Sequence, residues 1–257
     1  MRPIQVFALF TCCLACCVVW TPPANAHRLE PISTEFALPF RPRAGVFEVT
    51  YEFEREGRGR NEQALPEAEL ELGVFRRLQI NLGMPLLRLK EDPGEPANWT
   101  GGRFEVGARY LLFGSPVRPY AVSLQGSVEA PTGSSELVGD ATEVGAALHV
   151  DRYLGERVRV HSNLGWSSTV GGSERPERVF RYNNALVWMA SLRWNPVLEI
   201  LGATETRTGE TELAVQPEMI FWANRHLELK VGVPVGLTSS TPDIGVRAQI
   251  AITWGTE

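Results

Sequence analysis

The chain has 257 residues, 44% apolar, 21% charged and 9% aromatic, with 24 glycines and 18 prolines, which excludes a fibrous or a disordered protein. A net charge of -5 excludes the basic surface that phosphates demand, so no nucleic-acid partner is expected. Mean hydropathy is -0.11, and beyond the N-terminus no run of roughly 18 apolar residues offers a membrane-crossing helix; a membrane barrel stays open, because alternation hides its apolar half from an average.

Arg2, the apolar stretch from Val6 to Trp20 and the small-x-small site Ala24-Asn25-Ala26 predict a signal peptide over residues 1–26, with His27 as the new N-terminus. Cys12, Cys13, Cys16 and Cys17 all lie inside it, so no disulfide framework is expected after export. Leu14-Ala15-Cys16 offers a competing reading, lipid attachment at Cys16, although Cys13 stands where an aliphatic residue is usual. Residues 27–45 carry Pro31, Pro39 and Pro42, too many prolines for a helix or a central strand. This segment is expected either on a periplasmic rim or as a plug in a lumen.

From Phe47 the chain alternates with a period of two, the signature of half-buried strands. Phe47, Val49, Tyr51 and Phe53 oppose Glu48, Thr50, Glu52 and Glu54; Ala68, Leu70, Leu72 and Val74 oppose Glu67, Glu69 and Glu71. The same rule covers 78–84, 104–112, 122–128, 144–150 and 158–166, the last setting Val158, Val160, Leu164 and Trp166 against Arg157, Arg159, His161 and Asn163. Leu186, Trp188, Ala190, Leu192 and Trp194 share a face, with a tight turn expected at Asn195-Pro196 and the weakest signal at 197–204. Strands over 213–219, 227–233 and 244–254 complete a set of about twelve, with no convincing helix.

Connections alternate in length. Long ones are expected at 56–65, 87–101, 131–140 and 169–180, and short ones at 75–77, 114–118 and 151–156. Long outer loops and short periplasmic turns are the rhythm of an all-β, closed, antiparallel up-and-down transmembrane barrel with a polar lumen and an apolar exterior, here spanning residues 46–257. A soluble barrel or sandwich shares the parity. The membrane reading is favoured by the absence of Asp, Glu, Lys and Arg from the apolar face of the assigned strands, and by aromatic residues near strand ends, among them Tyr51, Tyr110, Tyr120, Trp166, Trp194 and Trp254. Closure also removes every strand edge, as hydrocarbon requires. Twelve strands ~4.8 Å apart and tilted ~40° give a backbone diameter of ~24 Å, hence a narrow lumen.

The polar face supplies the candidate selectivity residues. Glu52, Glu54, Glu67, Glu69 and Glu71 are expected to form an acidic wall on the early strands, and Arg103, Arg109, Arg157, Arg159 and Arg193 a basic wall on the middle ones, with Glu105, His161, Glu218 and Arg247 also lining the lumen. Such walls either set a transverse field that orients solutes or pair across the lumen and close it. His161-Ser162-Asn163 has the residue types of a hydrolase, but consecutive strand residues alternate sides, so Ser162 faces away from the other two. No catalytic residue, metal site or cofactor is expected; the histidines stand alone, and Gly101-Gly102 and Gly171-Gly172 read as turn residues.

Glu67-x-Glu69-x-Glu71 with its short turn into Leu78-Gln79-Ile80-Asn81-Leu82-Gly83, Pro131-Thr132-Gly133 before Gly139-Asp140, Asn163-Leu164-Gly165-Trp166, Pro217-Glu218 and Gly232-Val233-Pro234-Val235-Gly236-Leu237 resemble the outer-membrane barrel family labelled "meta-pathway of phenol degradation" and its transporter-like relatives. The resemblance implies an outer-membrane, porin-like barrel of Gram-negative bacteria that meets outer-membrane lipid and the barrel-insertion machinery and passes small solutes, aromatic or hydrophobic ones among them. It implies no enzyme activity and leaves oligomeric state open. An aromatic final residue is common in such barrels; here Trp254 is followed by Gly255, Thr256 and Glu257. Function is thus expected to be solute passage, with a closed, ion-paired structural or interaction barrel as the alternative.

Overall fold

The computed structural model describes residues 30–55, 62–89, 98–115, 118–133, 139–172 and 176–255. The expected signal peptide and His27 lie outside these residues. The described strands are β1 (Gly45–Arg55), β2 (Glu62–Phe75), β3 (Leu78–Leu89), β4 (Asn98–Gly101), β5 (Arg103–Gly114), β6 (Tyr120–Pro131), β7 (Thr142–Tyr153), β8 (Val158–Val170), β9 (Arg178–Trp188), β10 (Trp194–Glu205), β11 (Thr211–Trp222), β12 (Leu227–Gly232), β13 (Val235–Gly236) and β14 (Ile244–Trp254). There is no helix among the described residues.

Each strand pairs antiparallel with its neighbours, and β1 also pairs with β14, from Gly45 opposite Trp254 to Arg55 opposite Ile244. β4 and β5 both pair with β3 and form one stave parted at Gly102; β12 and β13 both pair with β11 and β14 and form another, parted at Val233-Pro234 because proline lacks the donor a ladder needs. The result is a closed antiparallel barrel of 12 staves. Its short turns lie at the end where the chain enters β1 and leaves β14; the longer connections lie at the other.

The alternation sets the two faces as expected. Val231 and Ile250 are 52% and 51% exposed on the outer wall, whereas Glu199, Gln216 and Lys230 are buried inside. Phe75, Tyr110, Phe113, Tyr120, Trp188 and Trp194 ring the outer face near the short-turn end. Some polar residues take outward parity, among them Ser162, Asn184 and Arg152. Ser162 Oγ donates to Asn184 Oδ1 at 2.9 Å, so the neighbours satisfy each other. β7 runs three residues past the expected strand and gives Arg152 outward parity at its end, where a long cationic side chain reaches an interface.

Several boundaries differ from the sequence expectation. Strands β2, β8 and β9 extend into the loops expected at 56–65 and 169–180, taking residues 62–65, 169–170 and 178–180. Asn195 and Pro196 lie inside β10, and the turn is 189–193 instead. Ser191 makes that turn, its hydroxyl accepting from the Arg193 and Trp194 N–H groups at 3.1 and 2.8 Å. Pro196 is tolerated because pairing with β9 begins only at Val197, so its missing donor faces no partner.

Residues 30–44 form no strand; they run through the lumen from the short-turn end. Phe36, Ala37 and Leu38 pack on Leu111 and Ala121, and Phe40 and Ala44 on Val46 and Ala251. The chain then turns into β1 with Arg43 at a φ of 68°, its N–H donating to the Gly73 carbonyl at 3.0 Å. A Cβ at Gly73 would strike the carbonyls of Phe40 and Arg41, so only glycine admits the segment there.

Candidate channel lumen

One side of the lumen is acidic. In register, Glu48 lies opposite Glu69, Thr50 opposite both Glu67 and Gln249, and Glu52 opposite Arg247. With Glu71, and with Glu30 and Glu35 of the lumen segment, these side chains surround a cavity of about 240 Å³. A second glutamate row continues round the wall, Glu105 opposite Glu129 and Glu129 opposite Glu143. Like charges opposite one another in a sheet repel, an arrangement a water-filled lumen tolerates better than a packed core.

Cations answer part of this charge. Arg109, fully buried on β5, donates to Gln125 Oε1 at 2.9 Å and to the Phe36 carbonyl at 2.6 Å, and pairs with Glu35, with Glu71 at 3.5 Å and with Glu30 at 3.8 Å. Lys230 Nζ lies 3.4 Å from Glu48 and 3.7 Å from Glu228. Arg247 pairs with Glu52 and donates to Ser33 Oγ at 2.7 Å. Arg103 and Arg181 both reach Glu143, at 3.0 and 3.4 Å.

The basic wall expected on the middle strands is not formed as read. Arg157 and Arg193 are exposed in the turns before β8 and β10, because apolar-polar parity ran on past the strand ends. Arg159 is buried against the Tyr153 ring, 4.8 Å from its centroid. Glu52, Glu67, Glu69, Glu71, Glu105, Arg103, Arg109, Arg159, His161, Glu218 and Arg247 do take the inner parity; the Glu54 side chain lies outside the described residues. Glu48, His149, Asp151, Glu199 and Lys230, absent from the expected set, are inward and buried as well. Their strand parity was the signal that could have found them.

The lumen segment is held through its backbone. Ile32 N–H donates to Glu218 at 3.1 Å, Ser33 N–H to Glu199 at 3.3 Å, Ala37 N–H to Asp151 at 2.9 Å and Phe40 N–H to Gln79 at 3.0 Å. Asn163 clasps Glu35 from both sides, accepting its N–H at 2.7 Å and donating to its carbonyl at 2.9 Å. His161 Nδ1 meets Asp151 at 2.8 Å, and its ring lies 5.1 Å from that of Phe36. Ser162, on the outer face, cannot reach this pair, so the three residues form no nucleophilic site.

The opposite side of the lumen, toward the short-turn end, is apolar. Ala185, Val187, Val197, Ile220 and Trp222 pack together, with Met189 against them. At the long-loop end a vestibule of about 840 Å³ is lined by Arg103, Arg181, Arg207, Glu177, Glu205 and Glu212 among others.

No family model matches this chain, and no curated protein matches its sequence. Solved structures do. The barrel is similar to an outer membrane channel from Pseudomonas putida F1, at a TM-score of 0.67 and 12% identity over 88% of this chain and 100% of that one. The NanC porin follows at a TM-score of 0.59 and 5% identity, covering 80% of this chain and 98% of that chain, and the KdgM porin at 0.56 and 10%, covering 82% and 99%. At such identities the likeness establishes the fold, that of outer-membrane barrels. The family resemblance read from the sequence stands at that level, without the phenol-pathway label.

Proposed function

We propose that this protein spans an outer membrane as a passive channel for small solutes, with the lumen segment narrowing the path and the acidic side giving preference to cations. The observation that carries this reading is the cavity beside β1, β2 and β14, where Glu48, Glu52, Glu67, Glu69 and Glu71 share the bounding surface with Arg247. Carboxylates ringing a pore favour cation entry over anion entry. The apolar outer wall supports insertion in lipid, and the outward Ser162 argues against a hydrolase. Liposome swelling is the test: vesicles holding the folded protein should admit small polar solutes faster than empty vesicles, and equal rates would refute the channel.

A second reading, a closed barrel with a structural or interaction role, draws on the ion pairs of Arg109, Lys230 and Arg247 and on the segment inside the lumen. Absence of swelling would select it. As for the solute, the acidic cavity supports small cationic ones, and the packed cluster of Val187, Val197, Ile220 and Trp222 backs that path without lining it.

A further inference from the structure

We propose that segment 30–40 is an acid-releasable stopper: carboxylates hold its backbone N–H groups at neutral pH, and their protonation frees it from the lumen. The inference rests on the channel reading above. It starts from how the segment is seated. With no sheet partner, its N–H groups need side-chain acceptors, and Asp151, Glu199 and Glu218 of the wall supply three of them. Glu30 supplies a fourth within the segment, accepting from Phe36 N–H at 2.6 Å. A hydrogen bond to an ionised carboxylate is about twice as strong as one to a neutral acceptor. Protonation therefore weakens several bonds of one seat together, and the same event removes the pairing of Glu30 and Glu35 with Arg109.

The remaining charged neighbours fix the sign. Arg109 on β5 and Arg247 on β14 face the segment and stay cationic in acid, so they lose attraction as carboxylates neutralise. Glu71 on β2 also pairs with Arg109 and Glu52 on β1 with Arg247, while Lys230 on β12 pairs with Glu48 on β1 and attracts Glu30 and Glu218 of the seat. His149 on β7 and His161 on β8 act in the opposite direction. Protonated His149, 4.0 Å from Glu35, and protonated His161, bonded to Asp151, each favour a carboxylate that grips the segment. Release accordingly requires the carboxylates themselves to be neutral, which places it in acid. The pair Glu199 and Glu218, bridged by Gln216 Nε2 at 2.5 and 3.4 Å, is the part of the seat to test first.

The full chain in planar bilayers should conduct at least about fivefold more at about pH 4 than at about pH 7, the ratio expected when even one of these bonds goes from a charged to a neutral acceptor. Glu199→Gln with Glu218→Gln keeps one acceptor oxygen on each side chain, enough for the Ser33 and Ile32 N–H groups, without the charge; it should raise conductance at neutral pH and shrink the acid step. A disulfide between Ser33→Cys and Asn183→Cys, whose parent residues are joined by a 3.0 Å bond from Asn183 Nδ2 to the Ser33 carbonyl, should abolish the step when oxidised and restore it when reduced. An acid step that survives in the oxidised pair, or persists in full in the glutamine pair, would overturn the stopper while leaving the channel in place. Equal wild-type conductance at both pH values would do the same. No current from wild type or the reduced pair at either pH would overturn the channel reading and the stopper with it.

Discussion

The two sides of the lumen solve the same problem differently. Around β1, β2 and β14 the inward residues are polar, with Glu48, Thr50, Glu52, Glu67, Glu69 and Arg247 among them, and they leave a cavity; at the short-turn end of β9, β10 and β11, beside the buried Glu199 and Glu218, Val187, Val197, Ile220 and Trp222 fill the space with apolar bulk. Both sides belong to one barrel with one parity. The contrast teaches that inward parity fixes only which side chains meet, and that their chemistry decides whether water can follow. In the channel we propose, the solute path lies on the acidic side, with the apolar side as a rigid support for it and Arg109 as the link from wall to segment.

The largest expected effect comes from cutting that link. Arg109→Gln leaves Glu30, Glu35 and Glu71 near one another without their shared cation, and should destabilise the barrel by about 3 to 5 kcal/mol in urea unfolding from lipid vesicles. The outer face comes next. Ile200→Arg places a charge midway along β10 on the lipid side and should cost about 2 to 4 kcal/mol in the same assay, whereas Thr50→Arg, inward on the acidic side, should cost far less and reduce conductance. On the apolar side, Ile220→Ala should cost about 2 to 4 kcal/mol with cation preference unchanged. Glu67→Gln with Glu69→Gln should lower the cation-to-anion permeability ratio on the order of twofold without loss of stability. The smallest effect is reserved for Arg157→Glu with Arg193→Glu: both sit in exposed turns, so reversal potentials should not move.

How far the sequence could be read follows the same division. Strict alternation in 104–112 and 244–254 put Arg109 and Arg247 inside and Ile250 outside, as β5 and β14 have them. Parity is a local property, and one residue of phase decides it. Strand ends were less legible, since the Trp188-Ala190-Leu192-Trp194 pattern continues through a turn that Ser191 imposes by its hydroxyl. The apolar cluster was legible in part: alternation sets Val187 opposite Leu186 and Trp188 and gives Ile220 the parity of Glu218, but these are the letters of a lipid-facing residue, and only the register brings them together inside. The seat of segment 30–40 was beyond local reading altogether, because Ile32 meets Glu218 across 186 residues of sequence and Ser33 meets Glu199 across 166.

The central claim is that solutes cross this barrel along its acidic side. The most direct measurement is the reversal potential of single channels in a planar bilayer under a potassium chloride gradient. Discrete conductance steps are expected, with a reversal potential of the sign of potassium preference that is reduced in the Glu67→Gln, Glu69→Gln pair. Steps with chloride preference, or a folded barrel that never conducts, would contradict it.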